Sequence, residues 1–307
     1  MMKGFQVFAA LFIAGLIAAS SARAGFVAVN GVRLHYLDWG GSGKTILLLA
    51  GFRNTAHVFD RFAPKFTDRF HVLGLTRRGF GESDKPKSGY DVATRVEDIR
   101  QFLDARGIAR ISLIGHSMAG DEMTLFATLY PRRVDKLVYL DAVYDRNPHA
   151  MKESFTDPVA RPTLSRRLRM EALGFPEASH VNLKMPPEEW AILMATMKSM
   201  VAFRPDYTRV QAPALAFFRV SANPHYPSSW LPNDADNELR AKAEAWWQTK
   251  GHEIVRAGCD QFRKEMRNGK VVEFADADHY LFEGKTGPEV VRKTREFLLK
   301  WSEPDGR

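Results

Sequence analysis

Ser117 stands in Gly115-His116-Ser117-Met118-Ala119-Gly120, directly after the apolar run Ile111-Ser112-Leu113-Ile114 and before Asp121 to Ala127, which reads as a helix. A serine at such a strand-to-helix turn is held in a strained backbone, and residues two positions away must be small to avoid colliding across it. Gly115 and Ala119 meet that demand, and Gly120 adds a further small residue. The strain holds the hydroxyl clear of the sheet and aims the N–H of Met118 at an oxyanion. The bland alternative is a solvated serine at a strand end. Short matches of this kind are common by chance, but one that leaves an apolar strand and opens a helix is much rarer. The chemistry implied is nucleophilic attack, for which a serine hydroxyl needs a base for its proton and a donor pair for the developing oxyanion. Of the nine histidines, His279 lies just beyond the last apolar strand, in Asp276-Ala277-Asp278-His279-Tyr280.

The elements around these residues alternate. Phe26–Val29 and Val32–Trp39 flank Asn30-Gly31, the turn pair of two-residue hairpins. Thr45–Ala50 is a continuous apolar run, as expected for a strand buried on both faces, and leads into Gly51-Phe52-Arg53-Asn54-Thr55. A helical stretch is expected from Ala56 to about Phe66, then a strand His71–Leu75. Val92, Val96, Ile99 and Leu103 recur at helical spacing and close at Gly107. After the elbow helix, Val134–Leu140 is a strand ending at Asp141. Residues 142–210 then carry no convincing strand, and a helix after Pro186-Pro187 presents Trp190, Leu193, Met194, Met197 and Val201. Ala212–Phe218 resumes the sheet. One long helical stretch from Asn237 to Met266, a last strand Val271–Phe274 and a last helix Glu289–Trp301 follow. This alternation predicts an α/β architecture: a mostly parallel sheet with helices on both faces.

The order of hairpin, strand, Gly-Phe loop, Arg78-Gly79-Phe80-Gly81-Glu82-Ser83, Gly115-His116-Ser117, helical insert, strand and late His279 resembles the α/β-hydrolase family over nearly the whole chain. The resemblance implies a core of 25–141 and 211–307, with 142–210 as a helical cap inserted before the penultimate strand. It implies His279 as the base, in the chain order Ser, acid, His. The acid is the open member. The family's usual place follows the penultimate strand, where Arg219-Val220-Ser221-Ala222-Asn223-Pro224-His225 offers no carboxylate. The family's other place is the end of the strand after the elbow helix, where Asp141 stands; Asp145, Asp234 and Asp236 are the alternatives. The oxyanion donors implied are the N–H groups of Met118 and Phe52. Ala50 replaces the histidine usual before Gly51, and Thr76 replaces an aspartate usual before Arg77-Arg78-Gly79; Arg78 is expected to tie loops together. His57, Trp190 and Met194 are candidate substrate-pocket residues, although a surface histidine and a cap-packing stripe explain them equally simply.

Composition narrows the partners. The chain has 307 residues with 45% hydrophobic and 26% charged residues, ample for a packed core. Its net charge of +8 is spread along the sequence, which bears on solubility rather than nucleic-acid binding. Lys3, the apolar stretch Gly4–Ala19 and the small residues around Ala22-Arg23-Ala24 read as a secretory signal peptide over residues 1–24, without a lasting membrane anchor. Export to a bacterial periplasm or beyond is the expectation. The single cysteine, Cys259, cannot form an internal disulfide. No metal-ligand spacing and no Gly-x-Gly-x-x-Gly appears, so neither a metal nor a cofactor is implied. The expected activity is a serine hydrolase acting on small-molecule carboxylic esters of small to medium apolar acyl groups through an acyl-enzyme. A C–C hydrolase, an amidase, an acyltransferase and a non-catalytic ligand-binding member are the alternatives.

Overall fold

Thr45–Leu49 (β3) is apolar at every position but the first because both its faces are covered. Leu47 and Leu49 join the buried cluster on one side of the sheet, while Ile46 and Leu48 join the cluster on the other. Each such leucine, wholly withdrawn from water, contributes about 1.5–3 kcal/mol. A computed structural model describes residues 22–143, 186–220, 237–246, 252–275, 277 and 279–300.

Eight strands form one sheet: β1 (Arg23–Val29), β2 (Val32–Gly40), β3, β4 (His71–Leu75), β5 (Ile111–His116), β6 (Val134–Leu140), β7 (Ala214–Arg219) and β8 (Gly269–Phe274). Their spatial order is β1-β2-β4-β3-β5-β6-β7-β8. β2 pairs antiparallel with β1 and β4, and every pairing from β4 to β8 is parallel. Asn30 and Gly31 both take positive φ, 48° and 72°, which the tight hairpin turn requires.

The helices are α1 (Val92–Ala105), α2 (Ala119–Leu129), α3 (Pro187–Ala202), α4 (Asn237–Trp246), α5 (His252–Glu265) and α6 (Gly287–Leu299). Asp91 caps α1 by accepting from Thr94 N–H at 2.8 Å. Gly107, at φ 65°, ends it, with Gly107 N–H on Asp104 and Ile108 N–H on Leu103 satisfying the last carbonyls. Val92, Val96 and Ile99 of α1, Met123 and Phe126 of α2 and Phe262 of α5 cover one face of the sheet. Phe59, Phe62, Phe66, Phe282 and Val290 cover the other.

One expectation needs correction. Ala56–Phe66 is not one helix but two short 3-10 turns, Ala56–Phe59 and Ala63–Lys65. Pro64 supplies the reason, since a proline removes an N–H and clashes with the preceding turn of an α-helix. Within the long helical stretch expected from about Asn237 to Met266, α4 and α5 are described, and residues 247–251 between them lie outside the described residues. Of the expected leader only Ala22, Arg23 and Ala24 are described, the last two as the start of β1. Of the expected cap, residues 144–185 lie outside the described residues, while α3 falls where the apolar stripe placed it. Among the described residues no helix is long and apolar enough to cross a membrane.

Candidate active site

β3 has β4 on one side and β5 on the other, so the chain leaves it in opposite directions for its next two parallel neighbours. Open α/β sheets bind ligands in the crevice at the carboxyl end of such a switch point. The loop after β3 carries Gly51 and Phe52, and the turn after β5 carries Ser117.

Ser117 has φ 56°, a left-handed backbone that non-glycine residues adopt only when the surroundings impose it. The surroundings are tight. A Cβ on Gly115 would sit 2.2 Å from Met123 Sδ and 2.8 Å from Ala119 Cβ. A Cβ on Gly120 would sit 1.8 Å from the Ala142 carbonyl oxygen, so glycine is obligatory there. The methyl of Ala119 is fully buried opposite Gly115 and fits the turn. A Cβ on Gly51 would lie 3.1 Å from Ser117 Cβ, which shows how closely the β3 loop approaches the serine.

Asp141, at the end of β6, is the carboxylate that meets the late histidine. His279 Nδ1–H donates to Asp141 Oδ2 at 2.7 Å. Asp141 is buried and is itself at positive φ, 45°. Arg219, the last residue of β7, places Nε 3.3 Å from Asp141 Oδ2, and its backbone N–H donates to Oδ1 at 3.4 Å. Burial alone would raise the Asp141 carboxyl, but the Arg219 guanidinium and the His279 hydrogen bond outweigh it and hold it below its ordinary value. The strand end whose following loop offers no carboxylate thus supplies a cation that keeps Asp141 ionised. Asp145, Asp234 and Asp236 lie outside the described residues.

His116 ends β5 and does not point into solvent. Its Nε2–H donates to the His279 carbonyl at 2.9 Å, and its ring lies 4.4 Å from the His279 ring. Burial, then the neighbouring His279, hold His116 well below the usual imidazole range. It fixes the loop that carries His279. Asn54, in the β3 loop, donates to Tyr280 Oη at 3.0 Å and ties that loop to the same segment.

The ordering missing at Ala50 comes from Arg77. Its guanidinium donates to the Ala50 carbonyl, one residue before Gly51, and its Nε meets Glu122 Oε1 and Oε2 at 2.6 and 2.8 Å. Glu122, on α2 and wholly buried, also accepts from Arg95 Nε of α1 at 2.6 Å. Burial would raise the Glu122 carboxyl, but the two guanidinium groups keep it below its ordinary value. Arg78 acts as expected, donating to Asp98 Oδ2 at 2.7 Å and to the Asn30 carbonyl at 3.3 Å. Glu122→Gln is expected to lower unfolding stability by about 3–5 kcal/mol, because it removes the carboxylate that two buried guanidinium groups share. Urea titration measures this; a loss under about 1 kcal/mol would show that the network is dispensable.

The other candidates separate. Phe52 and Trp190 pack on the buried cluster of Phe80, Leu193, Met194 and Met197, so α3 rests on the loop after β3. The His57 ring instead stacks on His35, 5.9 Å between centroids, with Nδ1 on Asp60 Oδ2 at 2.9 Å. Arg77, Glu122, His116 and Arg219 were not singled out as site-ordering residues by their sequence context. The absence of a carboxylate after β7 was the one signal that pointed at this strand end.

Residues 44–286 match the α/β-hydrolase fold family, and the chain belongs to that family. It is 32% identical to a soluble epoxide hydrolase of Corynebacterium sp. (strain C12) over 134 residues, 43% of this chain and 45% of that one. It is 31% identical to a 2-(acetamidomethylene)succinate hydrolase of Mesorhizobium japonicum over 101 residues, 33% of this chain and 36% of the relative. The chain thus spans less than half the length of these curated relatives. The solved structure of an E-2-(acetamidomethylene)succinate hydrolase superposes with TM-score 0.63 at 19% identity, covering 90% of this chain and 99% of that one, a likeness of fold.

Proposed function

We propose that this chain is a serine hydrolase that cleaves carboxylic esters of small to medium apolar acyl groups through an acyl-enzyme. The observation that supports it is the 2.7 Å bond from His279 to Asp141 at the same sheet edge as the strained Ser117. Ser117 Oγ attacks the carbonyl carbon while His279 Nε2 takes its proton, and Asp141 stabilises the imidazolium. The Phe52 and Met118 N–H groups receive the oxyanion. Its collapse expels the alcohol, which leaves with the proton from His279. Water then attacks the acyl-enzyme, with His279 as base, and frees Ser117. The reading requires His279 Nε2 within about 3.2 Å of Ser117 Oγ in the substrate complex. The apolar cluster of Phe52, Phe80, Trp190 and Met194 suits an apolar acyl group, with α3 as part of a cap.

Epoxide hydrolysis, the activity for which several relatives are named, fits this chain less well. Serine opening an epoxide leaves an alkyl ether, which has no carbonyl for water to attack, so turnover would stop after one event. Nitrophenyl esters from acetate to decanoate, an anilide and styrene oxide form the test panel. The expected result is a burst of about one equivalent of nitrophenol, followed by steady turnover favouring shorter chains. A fluorophosphonate adduct on Ser117 is expected by mass spectrometry. Turnover of styrene oxide without ester cleavage would overturn the proposal.

A further inference from the structure

A second cluster of chemically capable side chains lies apart from Ser117. His35 comes from β2, His57 from the first 3-10 turn and Glu82 from the loop after β4, and one ligand atom of each lies within 4.8 Å of the other two. β4 and β3 stand between β2 and β5, so about 14 Å of sheet separates this cluster from the elbow strand.

Three features single it out. His35 is fully buried, and its Nε2 meets no hydrogen-bond partner among the described residues. Buried polar nitrogens are rarely left so. The nearest candidate, Glu82 Oε1, stands 3.7 Å from it. That is too long for a hydrogen bond, yet close to the ~3.4 Å that separates two ligands bound at 2.0–2.2 Å around a tetrahedral zinc. Both histidines also have the outer partners that metal-binding imidazoles use. His35 Nδ1 lies 3.2 Å from Thr76 Oγ1 and His57 Nδ1 lies 2.9 Å from Asp60 Oδ2, so each ring turns Nε2 away from that partner.

We propose that His35, His57 and Glu82 bind a divalent metal of the zinc type, with water completing its coordination. His35 is the fixed member. Its backbone N–H donates to Ser83 Oγ at 2.9 Å, and its carbonyl accepts from Thr76 N–H at 2.9 Å. The His57 and Glu82 side chains are 54% and 65% exposed, so both are free to close inward by about the ångström that tetrahedral ligation needs. Two neutral imidazoles and one carboxylate leave the bound ion one positive charge, which Asp60 offsets behind His57. Bound metal ties the segment that follows the oxyanion loop to β2. Thr76, which stands where the related pattern has an aspartate, is part of the site as the partner of His35. The inference does not depend on what Ser117 does.

The test uses the untagged full chain, stripped with EDTA and dialysed, then titrated with ZnCl₂ by calorimetry. One equivalent is expected to bind, and the Tm is expected to rise by several degrees at saturating zinc. His57→Asn and Glu82→Gln, both at exposed positions, are each expected to weaken binding by about a hundredfold or more, with the zinc-free Tm little changed. Replacing zinc by CoCl₂ is expected to give the visible absorption of a four-coordinate site. Failure of the wild type to take up one equivalent would overturn the proposal, and so would undiminished uptake by the His57→Asn/Glu82→Gln double variant.

Discussion

Ser117→Ala is expected to fold as the wild type does and to lose ester turnover by about a millionfold in kcat. A loss of that order follows when a serine nucleophile that works as a unit with its base is removed. The substitution deletes one hydroxyl and leaves a Cβ in the same strained conformation, so the unfolding midpoint should hardly move. Substrate should still bind against Phe52, Phe80 and Met194, and the phase of nitrophenol release equivalent to the protein should vanish, because no acyl-enzyme forms. His279→Ala should cost about as much, and the double variant little more than either alone. Stopped-flow release of nitrophenol with a denaturant titration on each variant makes the measurement. A well-folded Ser117→Ala protein retaining a tenth of the activity would remove Ser117 from the mechanism.

Asp141→Asn is expected to reduce turnover by about ten-thousandfold, the scale known for the corresponding change in a well-characterised triad. The physical reason is twofold. An amide carries no charge to stabilise the imidazolium, and its NH₂ favours the wrong tautomer of His279. Asparagine tolerates left-handed backbone, so φ 45° at this position survives. The cost in stability comes instead from Arg219, which loses its counter-charge at Oδ2. The pH dependence has a definite sign. The folded-state pKa of Asp141 lies below its unfolded value, so the stability it contributes is fully present above the ordinary carboxylate range. It is lost as pH falls through the depressed folded value. The stability gap between wild type and Asp141→Asn should therefore persist at neutral pH and close only in acid below the ordinary carboxylate range. Equal turnover by Asp141→Asn and wild type at neutral pH would eliminate Asp141 as the partner of His279.

The elbow was legible because its requirements are local. An apolar strand, small residues at 115 and 120 and a following helix are all contiguous in the chain, and the positive φ at Ser117 follows from them. The pairing of Asp141 with His279 could be posed but not decided, since strand order, not spacing, brings residues 138 positions apart into contact. Glu122 was not legible. A carboxylate in the first turn of a helix ordinarily faces water and the helix dipole, and only the packing of α1, α2 and the Arg77 loop encloses it. The cluster of His35, His57 and Glu82 draws on three segments with no shared spacing, so no linear pattern exposes it. Ala56–Phe66 misled because its apolar positions suit a helix, while Pro64 interrupts the ladder that would hold one.

The left-handed backbone at Ser117 and Asp141 bears on how this protein can change over evolutionary time. The two residues directly follow adjacent parallel strands, and each non-glycine residue held in that region costs about 1–3 kcal/mol. Glycine at 117 relieves that cost but deletes the hydroxyl proposed as nucleophile, whereas glycine at 141 would also remove the carboxylate that faces the buried Arg219 guanidinium. Heat resistance and the proposed catalysis therefore pull in opposite directions at Ser117. A lineage released from selection for activity has a downhill path open to it here, and a laboratory screen scored on thermal survival alone rewards the same inactivating exchange at Ser117.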